Sequence, residues 1–288
     1  MKQLVSLLFL LLCCPFAMHA GRIVTDTIQS RVLGAPVVCN VYLPSHFEDG
    51  DRRYPIVYLL HGFTDDYTAW RDRGQMQTVA DELIESGEAA PMVVVMPNAG
   101  GADIMNVWNG YLNLPGWAYE DFFFTELIPT FEQRYRAIGD KAHRAIMGLS
   151  MGGGGSTMYA QRHPDLFSAC YAMSAWLSFD GKNDYPKESR PYLLQEAVRE
   201  HSALRFVENA DPSTSSGQAL LQQLRTVRWF FDCGDDDFLF DQSVRIHQLM
   251  RDRNVKDELR IRNGVHNWEY WHQAIRTALP FVSREWER

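Results

Sequence analysis

The residues best placed to do chemistry are Gly148-Leu149-Ser150-Met151-Gly152-Gly153, a serine with glycines at minus two and plus two. An apolar run, Arg144-Ala145-Ile146-Met147, leads in and a small-residue stretch, Ser156-Thr157-Met158-Tyr159-Ala160, leads out. Ser150 therefore falls on a predicted strand-to-helix turn. A turn that sharp strains the serine backbone and leaves no room for side chains at 148 and 152, hence the glycines. It lifts the hydroxyl clear of the sheet and aims the first amides of the following helix at any oxyanion beside it. Nucleophilic attack by Ser150 on a carbonyl is the chemistry this suits.

A serine hydroxyl is a poor nucleophile until a base takes its proton, and the base needs a third group to fix its tautomer and stabilise the imidazolium. Downstream, Trp229-Phe230-Phe231-Asp232-Cys233-Gly234-Asp235-Asp236-Asp237-Phe238-Leu239 reads as a buried strand ending in a turn with three carboxylates. Packing gives no reason for that cluster, so the acid is one of Asp235, Asp236 and Asp237; spacing alone does not choose among them. Asn263-Gly264-Val265-His266-Asn267-Trp268 follows another strand and opens the last helix, which puts His266 on a loop at the same sheet edge as candidate base. His247 and His272 fall inside predicted helices, His163 at a helix end and His201 in a polar insert. An oxyanion needs two fixed N–H donors. Met151, following the serine, supplies one; the turn His61-Gly62-Phe63 supplies the other through the Phe63 amide, with His61 organising the loop.

Positioning these residues takes alternating strands and helices. Ile23 to Leu33 and Pro36 to Leu43 read as an N-terminal antiparallel pair joined at Leu33-Gly34-Ala35. Tyr54 to Leu60 and Met92 to Met96 are continuous apolar runs, as expected of strands buried on both faces. Asp72 to Ser86 and Glu120 to Tyr135 carry helical periodicity. Phe167 to Ser174, Arg228 to Cys233 and Glu258 to Ile261 are further strands. The alternation predicts one α/β domain over 21–288 with a largely parallel sheet and helices on both faces. Two long segments, Asn98 to Gly116 and Trp176 to Thr226, interrupt the rhythm. The second is expected to hold two short helices. Both leave C-terminal strand ends, where open α/β sheets bind ligands, and they are expected to wall the site.

The chain has 288 residues, 46% of them hydrophobic and 22% charged, with a formal net charge of −8. The composition suits a globular domain and argues against a nucleic-acid partner, since no basic run would hold phosphates. Residues 1–20 have one lysine, an apolar run from Leu4 to Cys14, Pro15 and a small Ala20, the layout of a secretory signal peptide. Export to a secreted or periplasmic location is expected, with Cys13-Cys14 leaving a lipoprotein as the lesser branch. No other segment could span a membrane. Cys39, Cys170 and Cys233 remain, all in apolar strand-like runs and expected as buried free thiols. No Cys/His spacing suggests a metal, so neither metal nor cofactor is expected.

Leu60-His61-Gly62-Phe63, Trp117-x-x-Glu120-Asp121-Phe122, Glu126-Leu127-Ile128-Pro129, Tyr135-Arg136 and the Ser150 hexapeptide together resemble the esterase family of α/β-hydrolases. That family includes feruloyl and acetylxylan esterases, S-formylglutathione hydrolases, tributyrin esterases and the antigen 85 acyltransferases. The likeness continues through Cys233-Gly234-Asp235-Asp236-Asp237-Phe238-Leu239 and Gly264-Val265-His266-Asn267-Trp268. It implies an α/β-hydrolase fold and a Ser150–His266–Asp237 triad, selecting Asp237 as the acid just before Phe-Leu. With export, it implies hydrolysis of feruloyl or acetyl esters on plant polysaccharide, with Trp108, Trp117 and Trp176 as candidate stacking surfaces. Acyl transfer to an alcohol, a short-acyl thioesterase and a non-catalytic binding protein on the same scaffold are the alternatives.

Overall fold

The computed structural model describes residues 20–100 and 109–287. The expected leader thus lies, but for its last residue, outside the described residues. β1 (Arg22–Gln29) and β2 (Pro36–Leu43) pair antiparallel along their whole length. β3 (Ile56–Leu60) follows, and α1 (Ala69–Asp72) and α2 (Met76–Glu85) lead to β4 (Val93–Pro97). The single helix expected from Asp72 to Ser86 is thus displaced and split, because Gln75 takes a left-handed conformation (φ 49°) that ends one turn and starts the next.

β5 (Asn113–Leu114) and β6 (Trp117–Ala118) form a small ribbon. The helix expected from Glu120 to Tyr135 is present but not regular: α3 (Tyr119–Phe122), a π turn (Phe123–Leu127) and α4 (Ile128–Arg134) run end to end. Then come β7 (Arg144–Leu149), α5 (Met151–Arg162) and β8 (Ala169–Met173).

The second insert holds α6 (Arg190–Glu200), α7 (Ala203–Glu208) and α8 (Ser215–Leu224), three helices where two were expected. Each begins at a hydroxyl cap: Ser189, Ser202 and Thr214 accept from the amides of Tyr192, Arg205 and Gly217. β9 (Arg228–Gly234), α9 (Phe240–Asp252), β10 (Asp257–Arg262) and α10 (Trp268–Ser283) complete the chain.

The main sheet runs β1-β2-β4-β3-β7-β8-β9-β10. β2 is antiparallel to both neighbours, and every pairing from β4 to β10 is parallel. Side chains alternate through it to feed two cores. Ile56, Tyr58 and Ile146 face one core with Phe122, Phe131, Met158, Tyr159 and Ile246. Val57, Leu59 and Met147 face the other with Val79, Leu83, Ile275 and Leu279 of α2 and α10. This two-sided burial is why the central strands read as unbroken apolar runs. Cys39, Cys170 and Cys233 are free and buried, one on each of β2, β8 and β9, and burial pushes the Cys233 thiol up to about 12. Among the described residues no helix is long and apolar enough to cross a membrane.

Candidate active site

Four loops leave C-terminal ends of parallel strands and converge on Ser150. The serine follows β7 with φ 53° and ψ −117°, an unfavourable conformation for a residue with a side chain. Its own N–H donates to the Met173 carbonyl (2.8 Å), and its carbonyl accepts from Gly154 and Trp176 (both 3.0 Å). The flanking glycines are enforced by contact. A Cβ on Gly148 would lie 2.5 Å from the Gly152 carbonyl oxygen, and one on Gly152 would lie 2.6 Å from the carbonyl oxygens of Leu60 and His61.

His266, on the loop after β10, brings Nε2 to 2.9 Å from Ser150 Oγ. Its Nδ1 lies 2.8 Å from Asp237 Oδ2 and 3.0 Å from Oδ1, after β9. The side chains of His266 and Asp237 are 17% and 0% exposed, so the pair is screened from water on the acid's side. Burial alone would raise the Asp237 carboxyl. Hydrogen bonds from His266, the Leu239 amide and Ser174 together outweigh it and hold the group below the usual carboxylate range.

The other two carboxylates of the cluster do different work. Asp235 Oδ1 accepts from the Gly264 amide (2.9 Å), tying the acid's turn to the base's loop, whereas Asp236 is exposed and contributes a backbone bond to the Gly264 carbonyl.

Met151 is the first residue of α5, so its amide is among those at the helix N-terminus. The 61–63 turn passes beside the serine: a Cβ on Gly62 would come within 3.7 Å of Ser150 Cβ. His61 braces that turn. Its Nδ1–H donates to the Gly62 carbonyl (2.7 Å), its Nε2 accepts from the Ala99 amide (2.9 Å), and Tyr111 donates to the His61 carbonyl (2.9 Å). Burial lowers the imidazole's pKa, keeping the neutral tautomer that both bonds require.

Two further supports have only weak signals in the sequence. Asp232 is a buried carboxylate inside β9, accepting from Tyr171, Tyr270 and Arg262, and thereby anchors the first turn of α10 just past His266. Its signal was a charge within an apolar run. Trp271 sets its ring edge-on to His266, with centroids 4.8 Å apart at 90°, while its indole N–H donates to Ser174 Oγ (3.0 Å).

The cleft over Ser150 has a volume of about 430 Å³ and is lined by residues 62–65, Arg73, Leu149, Ser150, Phe238 and the 266–271 segment. Among the described residues that line it, none belongs to either insert; residues 101–108 of the first insert lie outside the described residues. The second insert packs into a core through Leu194, Val198, Ala203, Val207 and Leu221. Trp117 has no free face for stacking: it is 7% exposed, and its indole N–H donates to the Ala99 carbonyl. Trp176 packs partly buried against the same core as the insert. Trp108 lies outside the described residues.

The family model described as "Putative esterase" matches residues 30–282. The chain belongs to that family. It is 46% identical to a solved structure titled ferulic acid esterase, with a TM-score of 0.87 over 92% of this chain and 98% of that one. An endo-1,4-beta-xylanase/feruloyl esterase of Xylanibacter ruminicola is 32% identical over 51% of this chain but only 20% of its own length. The chain thus matches about a fifth of that relative. The diacylglycerol acyltransferase/mycolyltransferase Ag85B of Mycolicibacterium smegmatis is 25% identical over 83% of this chain and 79% of its own. The sheet order and these likenesses establish an α/β-hydrolase fold.

Proposed function

We propose that this esterase-family chain is a secreted serine carboxylesterase acting on feruloyl esters of plant polysaccharide. The observation that carries the reaction class is the 2.9 Å contact between His266 Nε2 and Ser150 Oγ. In this reading His266 takes the serine proton as Oγ attacks the ester carbonyl, and Asp237 holds the imidazole and stabilises its charged form. The amides of Met151 and Phe63 hold the oxyanion. His266 then passes the proton to the departing alkoxide, leaving an acyl-enzyme on Ser150. Water, deprotonated by the same imidazole, attacks the acyl carbon; Ser150 Oγ leaves, takes that proton back from His266, and the acid is released.

The 46% identity to a ferulic acid esterase supports the acyl group, and the N-terminal leader pattern supports export. The test compares methyl ferulate with p-nitrophenyl acetate, using the mature protein and Ser150→Ala. Turnover of methyl ferulate that disappears in the variant, together with loss of fluorophosphonate labelling, is the expected result. A folded protein that neither turns over either ester nor takes the label would overturn the proposal.

A further inference from the structure

Phe238 stands between two residues with opposite duties. Asp237 is buried and faces His266, and Leu239 turns into the protein and donates its amide to Asp237. Phe238 points outward and is 75% exposed, the most exposed large apolar side chain among the described residues. Its ring lies against the imidazole, with centroids 4.3 Å apart and planes at 46°. Val265, 45% exposed, is the residue before the same imidazole. Phe238 lines the cleft over Ser150, and aromatic side chains lining such clefts commonly contact the ligand.

The reaction decides which part of the substrate that is. A general acid must come within hydrogen-bond reach of the oxygen it protonates. Here the acid is His266, and the oxygen is the one leaving with the alcohol. The first atoms of the alcohol must therefore pass the imidazole, against which the Phe238 ring lies tilted. In the same reading the amides at 63 and 151 take the carbonyl oxygen, not the alcohol. We propose that Phe238 is a platform for the leaving alcohol, receiving the apolar face of the sugar ring that carries the ester. This rests on the esterase reading above and assigns a specificity-determining residue to that site.

The experiment compares a feruloylated arabinose oligosaccharide with methyl ferulate, which has the same acyl group and no sugar. Wild type, Phe238→Ala and Phe238→Trp are assayed for kcat/KM, with fluorophosphonate labelling of Ser150 reporting an intact site. The expected result is that Phe238→Ala lowers the ratio of sugar-ester to methyl-ester kcat/KM by about tenfold, the scale of a lost apolar contact, mainly through KM. Phe238→Trp restores it. An unmoved ratio overturns the proposal, because the ring then serves His266 or nothing. A raised ratio overturns it in favour of an acyl-side role. A wild-type protein inactive on both esters is the failure of the esterase reading itself, and the Ser150→Ala comparison records that separately.

Discussion

At Asp237 one residue's environment bears on both the proposed catalysis and acid tolerance. Asp237→Asn keeps the shape but gives His266 a donor where an acceptor is needed, so kcat is expected to fall by about 10⁴, as in other serine triads whose acid is replaced by the amide. The same carboxyl is held below its ordinary value in the folded protein. Its contribution to stability is therefore present above about pH 4, the unfolded value, and is lost as pH falls through the folded pKa. Denaturant titrations across pH 6 to 2 should show the stability gap between wild type and Asp237→Asn narrowing as acid is added; a gap that widens would refute this assignment. The serine and the histidine were legible in the sequence because glycine spacing and chain order expose them. The acid was less so. Spacing does not choose among three adjacent aspartates; the family resemblance selects Asp237, and the fold separates the one facing His266 from the one tethering Gly264. Trp117 illustrates the opposite failure, since a tryptophan beside a glycine-rich loop reads the same whether its ring faces solvent or a core.

The elements bear on function chiefly through the close approach of β3, β7 and α5. Gly152→Ala would drive a methyl group to 2.6 Å from two backbone carbonyl oxygens that cannot swing away. The cost is about 1–3 kcal/mol or more, and the shift should carry Ser150 with it. Melting several degrees lower, with methyl ferulate turnover lost, is the expected outcome. Gly50→Ala, where a methyl group meets nothing within 4 Å, is the matched control and should melt as wild type does. Strand positions were readable from apolar runs, because burial on both faces removes polar residues from the sequence pattern itself. Helix boundaries in the second insert were not. The caps at Ser189, Ser202 and Thr214 are ordinary polar residues whose role depends on which neighbouring amide ends up unbonded.

Across the whole molecule, stability rests on two cores separated by the sheet and on no disulfide among the described residues. The thermal midpoint of the mature protein should accordingly be the same with and without reductant, and Cys39, Cys170 and Cys233 should react with a thiol reagent only on unfolding. A lower midpoint in reductant would mean that the thiols pair. Those cores also hold Ser150 in a backbone conformation worth about 1–3 kcal/mol of strain. Ser150→Gly relieves it, less about 0.5–1 kcal/mol for the greater freedom of an unfolded glycine, and should melt above Ser150→Ala in a calorimeter. The serine side chain is thus held where the chain would be more stable without it. A population of variants screened for heat resistance alone would drift toward glycine at this position, so any programme of thermostabilisation has to select for turnover in every round.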